Sequence, residues 1–222
     1  YIDGKKIGAW KYYWFNGTLS ETENYKDGKI EGTDISYNEL GKVDKESDYE
    51  DGDLNGEVKY YGDNGQLMLV FYYKDDELTG YSYEDKTGKL LPAIPIEKGT
   101  ATIDAYYKNG VKSAHMVFNE GVSDGERILY YSNGKEQVNG SRINSLDNGV
   151  KKIYYPGGKI MKEENYYFGQ PNGSFKYYNE DGTLISDVNF YLGNLDGNCK
   201  YYTNGKLSKT CFYYYSVLES VK

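Results

Sequence analysis

Glycine returns every 24 residues along this chain, at positions 8, 32, 56 and 80 and again at 125, 149, 173 and 197. A fixed short period marks a repeat architecture, in which each unit is one supersecondary element that buries its apolar face against its neighbours. The 45 residues from Gly80 to Gly125 hold one full unit and one shortened to 21, with Ala101 at the glycine position, so the chain divides into nine units. A second glycine follows eight or nine residues after each anchor, from Gly17 through Gly110 to Gly205, and gives each unit two turns.

Between the two glycines lie short aromatic segments: Trp10-Lys11-Tyr12-Tyr13, Val58-Lys59-Tyr60-Tyr61, Phe175-Lys176-Tyr177-Tyr178 and Cys199-Lys200-Tyr201-Tyr202. Two residues past the internal glycine stands Leu19, Leu67, Leu184 or Leu207, and eight past it Tyr25, Tyr73, Phe190 or Tyr213. These even offsets share one face of a strand, whereas a helix would separate them by about 120°. Asn-Gly recurs in the internal turn, as at 16–17 and 64–65, and before the anchor, as at 55–56 and 172–173. The pair tolerates the positive φ of tight hairpin turns, so each unit is expected to be a β-hairpin closed by Asn-Gly. The predicted fold is all-β: an elongated antiparallel sheet of about nine tandem hairpins without significant helix. Residues 1–222 form a single array, with a kink or subdomain break expected at 86–99, where Pro92 and Pro95 cannot donate ladder hydrogen bonds. That break separates N-terminal repeats (1–85) from C-terminal ones (100–222).

Composition narrows the function classes. With 28 tyrosines and 17% aromatic residues the chain has ample surface to bury, which argues against disorder. No apolar stretch approaches the roughly 20 residues of a membrane-spanning helix, so no transmembrane segment is expected. The net charge of -8 argues against a nucleic-acid partner. Residues 1–98 hold 21 acidic and 12 basic side chains and residues 99–222 hold 13 and 14, so the N-terminal half is the acidic one. It is either a partner surface or a solvated face.

No catalytic, cofactor or metal site is expected. His115 is the sole histidine and has no nucleophile motif beside it, which makes it structural or exposed. Asp51 to Val58 copies the first eight positions of an EF-hand loop, but position twelve is Gly62 instead of the bidentate Glu, and turn chemistry explains the string. Cys199 and Cys211 lie in the two strands of the last hairpin, on their apolar sides. They form either a cross-strand disulfide, as suits an exported protein, or two buried thiols, as suits a cytoplasmic one. The tyrosines are the remaining candidates: Tyr13, Tyr37, Tyr61, Tyr107, Tyr131, Tyr155, Tyr178 and Tyr202 are expected to align as a ladder on the lysine-bearing face. That ladder is either sheet packing or a recognition surface.

The unit, roughly N-G-x-x-K-Y-Y-x-x-x-G-x-L-x-x-x-x-x-Y-x-x-G, resembles the MORN-repeat variant family, whose members are often labelled YwqK-type antitoxins. The match is fullest at Leu54 to Glu77, Pro171 to Asn194 and Leu195 to Tyr215, and it extends over essentially the whole chain. The resemblance implies a non-catalytic hairpin sheet that binds a protein partner, such as a toxin, as an antitoxin or immunity protein. The alternative is a cell-envelope module binding glycan or lipid through the aromatic ladder. Tyr1-Ile-Asp-Gly4 matches Tyr25-Lys-Asp-Gly28, so the sequence starts inside a hairpin. A removed export signal or lipoprotein leader accounts for that, as does trimming, and the expected location is exported or envelope-bound with cytoplasmic as the alternative.

Overall fold

A computed structural model describes residues 1–222. The chain forms antiparallel sheets of hairpins following one another in chain order. One sheet has nine strands, from Gly8–Tyr13 to Ile94–Pro95, and the other fourteen, from Ala101–Tyr106 to Val217–Val221. The sheet boundary thus falls at the end of the proline-bearing segment. The compact units divide elsewhere, at 1–114 and 115–222, within the strand Lys112–Asn119. The only helical turn is Glu97–Gly99.

Each repeat has two turns of different kinds; Asn-Gly stands in the internal turn as the sequence suggested, but in all repeats except the last it does not form a tight two-residue turn there. The tight two-residue turns lie four residues upstream of the anchor glycines, at Asp27-Gly28, Asp51-Gly52, Phe168-Gly169 and Leu192-Gly193, with both residues at positive φ. That conformation is the primed turn whose twist matches the strands it joins. The internal turn is longer. In the first repeat Trp14 N–H reaches Thr18 O, Gly17 N–H reaches Trp14 O, and the Asn16 side chain accepts the Thr18 N–H. Only the glycine there takes positive φ (84° at Gly17), while the asparagine acts through its carboxamide, and the ladder shifts register between Tyr12 and Tyr13. Asn204-Gly205 is the exception: both residues are left-handed, closing the last hairpin between Thr203 and Lys206.

Within unit 115–222 burial alternates along the strands. In Leu184–Tyr191 the residues Ser186 and Val188 are buried and Ile185 is exposed. Phe175 pairs with Val188, Cys199 with Cys211, and Phe190, Leu195, Tyr201 and Tyr213 close around Val188 and the two cysteines. One face of this sheet is therefore the core and the other is solvated.

Unit 1–114 departs from that pattern at one strand. In Leu67–Lys74 four consecutive residues, Met68, Leu69, Val70 and Phe71, are buried at 0–4% exposure. Successive strand residues point to opposite faces, so both faces are covered. Leu69 and Phe71 belong to the apolar face shared with Val58 and Tyr60. The opposite side meets the strand Ala101–Tyr106 and the start of Lys112–Asn119: Ser113 Oγ donates to Met68 O at 2.6 Å, and Ile103, Ala105, Tyr107 and Ala114 are all buried. The segment between folds back to allow this, with Ser82 Oγ donating to Leu91 O and Ile96 N–H to Thr79 O. Unit 1–114 thus has a two-layered core where its sheet ends.

Met68 and Ile185 hold the same place in their repeats, one residue past the leucine, but differ in exposure at 4% and 39%. Met68→Ala is expected to cost about 2–4 kcal/mol in urea unfolding and Ile185→Ala less than about 0.5 kcal/mol. Equal costs would contradict two-sided burial.

Candidate functional site

The eight candidate tyrosines do not form one ladder. Tyr13, Tyr37, Tyr61 and Tyr178 each follow a register shift at the end of a repeat's first strand, four residues before the internal glycine. Tyr107, Tyr131 and Tyr155 stand one position later and open the turn, as Trp14 does in the first repeat: Tyr131 N–H bonds Lys135 O, and Tyr155 N–H bonds Lys159 O. Tyr202 precedes the tight Asn204-Gly205 turn. Tyr107 and Tyr131 are buried, at 1% and 7%. The Tyr131 hydroxyl donates to Tyr154 O and the Tyr155 hydroxyl to Tyr178 O, each reaching into the next repeat. These two are interrepeat ties. Of the eight, only Tyr13 is strongly exposed, beside a shallow groove of about 460 Å³ that it lines with Trp14 and Tyr37.

Cys199 and Cys211 are direct cross-strand partners, both buried, and both are free thiols. Burial holds the Cys199 thiol above its ordinary pKa. His115 lies 3.5 Å from Glu126. Asn55 donates to Glu50, and no group of three His, Cys, Asp or Glu side chains is placed to hold a metal ion.

A surface the sequence reading passed over lies at the tight turns. In unit 1–114 their first residue is Asp27, Asp51 or Asp75, at φ of 50–52°. In unit 115–222 three of them carry Phe168, Leu192 and Tyr215, at φ of 45–46°. Aspartate tolerates this left-handed region, whereas a bulky apolar residue is held there at a cost of about 1 kcal/mol. These tips are nevertheless fixed. Gly169 N–H donates to Asp147 O, Gly193 N–H to Pro171 O and Ser216 N–H to Leu195 O, so each turn is stapled to the preceding repeat. The carboxamides of Asn148 and Asn172 accept the N–H groups of Phe168 and Leu192.

The result is a row of exposed apolar side chains: Tyr167, Phe168, Tyr191, Leu192, Tyr214 and Tyr215 are 42–58% accessible. Tyr167 packs edge-on against Phe168, Tyr191 against Tyr215, and Tyr214 against Tyr215. No charged residue occurs in 165–175, 188–195 or 210–218. The corresponding turns of unit 1–114 read Lys26-Asp27, Glu50-Asp51 and Lys74-Asp75-Asp76-Glu77. The signal was visible as Phe-Gly and Leu-Gly where the repeat otherwise writes Asp-Gly.

The apolar face of the first two repeats is also unusual. Where the third, eighth and ninth repeats place Val58, Phe175 and Cys199, the second repeat has Asp34, at 3% exposure and with Oδ1 lacking any hydrogen-bond partner. Burial, with help from Glu21 and Glu23 and against Lys45, pushes its pKa up to about 6.

Four segments, 6–27, 54–75, 147–166 and 171–190, match the MORN repeat variant family. Such repeats are non-catalytic modules that generally serve protein or membrane interaction. A comparison with curated proteins gives no match.

The Asp34 pKa makes a stability prediction. Its folded value near 6 lies above the unfolded value of about 3.9, so the folded chain binds the extra proton. Stability relative to Asp34→Asn is therefore fully retained below about pH 4 and lost as pH rises through about 6. Discounted for screening, the loss should reach about 1–2 kcal/mol at pH 8. A pH-independent difference between the two proteins would contradict the assignment.

Proposed function

We propose that this chain, a MORN-variant repeat protein, is a protein-binding module of the antitoxin or immunity type, and that it holds its partner on the apolar turn row of unit 115–222. The carrying observation is that Phe168 and Leu192 are exposed and left-handed at once. A turn selected only for folding would use Asp or Asn there, as unit 1–114 does. Tyr and Phe supply large contact area at small entropic cost, and Tyr is enriched at interfaces. Successive turns lie two strands apart, about 9.6 Å. Seven residues of helix rise about 10.5 Å, so an amphipathic partner helix with apolar residues every seventh position matches the row.

The acidic turns of unit 1–114 would steer a basic partner, but contact through them would weaken as salt rises. Contact through the uncharged row is insensitive to salt. The family's association with membranes supports a second reading, since Tyr and Phe also suit a bilayer interface.

The test is affinity capture from the source cell with the wild-type chain, followed by calorimetry on the purified captured protein, a co-encoded toxin being the first candidate. Phe168→Ser with Leu192→Ser should weaken binding at least tenfold, from the loss of about 2 kcal/mol at a hot spot, with little change between 50 mM and about 500 mM salt. Unchanged affinity in that variant would overturn the reading. Binding to neutral phosphatidylcholine vesicles, lost in the same variant, would favour the bilayer instead.

A further inference from the structure

The first repeat holds a feature that the binding row does not use. Lys6 Nζ sits over three aromatic rings, 4.8 Å from Trp10, 5.3 Å from Tyr12 and 4.5 Å from Tyr25. It also donates to the Tyr12 hydroxyl at 2.7 Å and to the Tyr25 hydroxyl at 3.1 Å. The Tyr25 hydroxyl in turn donates to Glu23, and Tyr1 closes edge-on against Trp10. Lys6 and the three rings around its ammonium are only half-buried, so the cage opens to solvent.

Comparison within the chain sets this cage apart: Lys151, Lys162 and Lys209 each lie over one ring only, at 5.3–5.7 Å. Lys6 precedes the anchor Gly8 by two residues, where five other repeats place Ile30, Leu54, Leu78, Pro171 or Leu195 and two place Ser123 and Asp147. An apolar residue is the commonest occupant of this place, and Lys6 is the one cation there. The neighbouring face is anionic where the third repeat is apolar: Glu21, Glu23 and Asp34 occupy strand positions that there carry Leu69, Phe71 and Val58, and the seventh repeat keeps one of these acids as Glu164. Asp34 is buried with one carboxylate oxygen unpartnered. Aromatic faces with nearby carboxylates attract cations, and the two hydroxyl acceptors require a cation that still carries N–H donors.

We propose that Trp10, Tyr12 and Tyr25, with Glu23 behind them, form a recognition site for a primary ammonium, the head of a lysine side chain on a partner, and that Lys6 occupies this site in the unliganded chain as a tethered stand-in. The backbone of Lys6 is held by the ordinary interrepeat bond from Gly28 N–H, so its side chain can leave without loss of the hairpin. An incoming lysine takes over the two hydroxyl bonds, and Lys6 moves into solvent with its charge intact. Replacing Lys6 therefore unmasks the site.

The experiment is a titration of wild type, Lys6→Ala and Lys6→Met with n-butylammonium and with tetramethylammonium, followed through the Trp10 indole N–H resonance. Circular dichroism establishes that each variant is folded. Lys6→Met fills the cage with an uncharged chain and keeps it closed should Lys6→Ala loosen the hairpin. Lys6→Ala should bind n-butylammonium saturably and at least tenfold more tightly than wild type. Lys6→Met should not bind, and adding Trp10→Ala to Lys6→Ala should abolish the response. A folded Lys6→Ala chain without a saturable shift would overturn the proposal, as would equal affinity in wild type. Preference for tetramethylammonium would overturn the assignment to a primary ammonium, since that cation cannot donate to the hydroxyls.

Discussion

The two-residue left-handed turn that closes each repeat four residues before its anchor glycine is the constraint on which the rest depends. Its twist matches that of the strands, so it sets the register of the ladder and thereby which side chains face inward. Its second N–H, donated to the preceding repeat, stacks one hairpin on the next, as from Gly169 to Asp147 and from Gly193 to Pro171. Its first side chain is left pointing away from the sheet. The fold asks of that residue only that it endure positive φ, and the position is therefore free to carry function.

The two units use this freedom differently. Unit 1–114 fills the turn with aspartate and takes stability from a second layer over Leu67–Lys74, where Met68 and Val70 are as buried as Leu69 and Phe71. Unit 115–222 packs Phe175, Val188 and the two cysteines on one face, and it spends left-handed positions on Phe168, Leu192 and Tyr215. Polar intrusions on the inner face are confined to particular repeats as well. Asp34 stands where Val58 and Phe175 stand in the third and eighth repeats, and Lys6 stands where Ile30, Leu54, Leu78 and Leu195 do.

Much of this architecture was legible in the sequence. The 24-residue glycine period and the even spacing of leucine and tyrosine specify hairpins, because period two is a property of strands alone. The tyrosine ladder was misaligned for a reason also present in the sequence. Tyr13, Tyr37, Tyr61 and Tyr178 precede their glycine by four residues, but Tyr107, Tyr131 and Tyr155 by three, and one residue moves a side chain from the strand into the turn. The internal Asn-Gly pairs marked true turns but not their conformation, because asparagine serves as a side-chain acceptor as readily as it takes positive φ. The second layer was hidden because a continuous apolar run, Leu67 to Tyr73, signals two-sided burial without naming what covers the second face.

The central claim is that Phe168 and Leu192 are kept for contact outside the fold and at the fold's expense. Reciprocal exchange measures this most directly: the urea-unfolding free energies of Phe168→Asp and of Asp27→Phe, each against the wild-type chain. The account predicts that Phe168→Asp is more stable by about 1 kcal/mol and that Asp27→Phe is less stable by a similar amount, since aspartate suits the left-handed position and phenylalanine does not. A Phe168→Asp chain less stable than wild type would show that the exposed ring supports the sheet, and the row would then be packing instead of an interface.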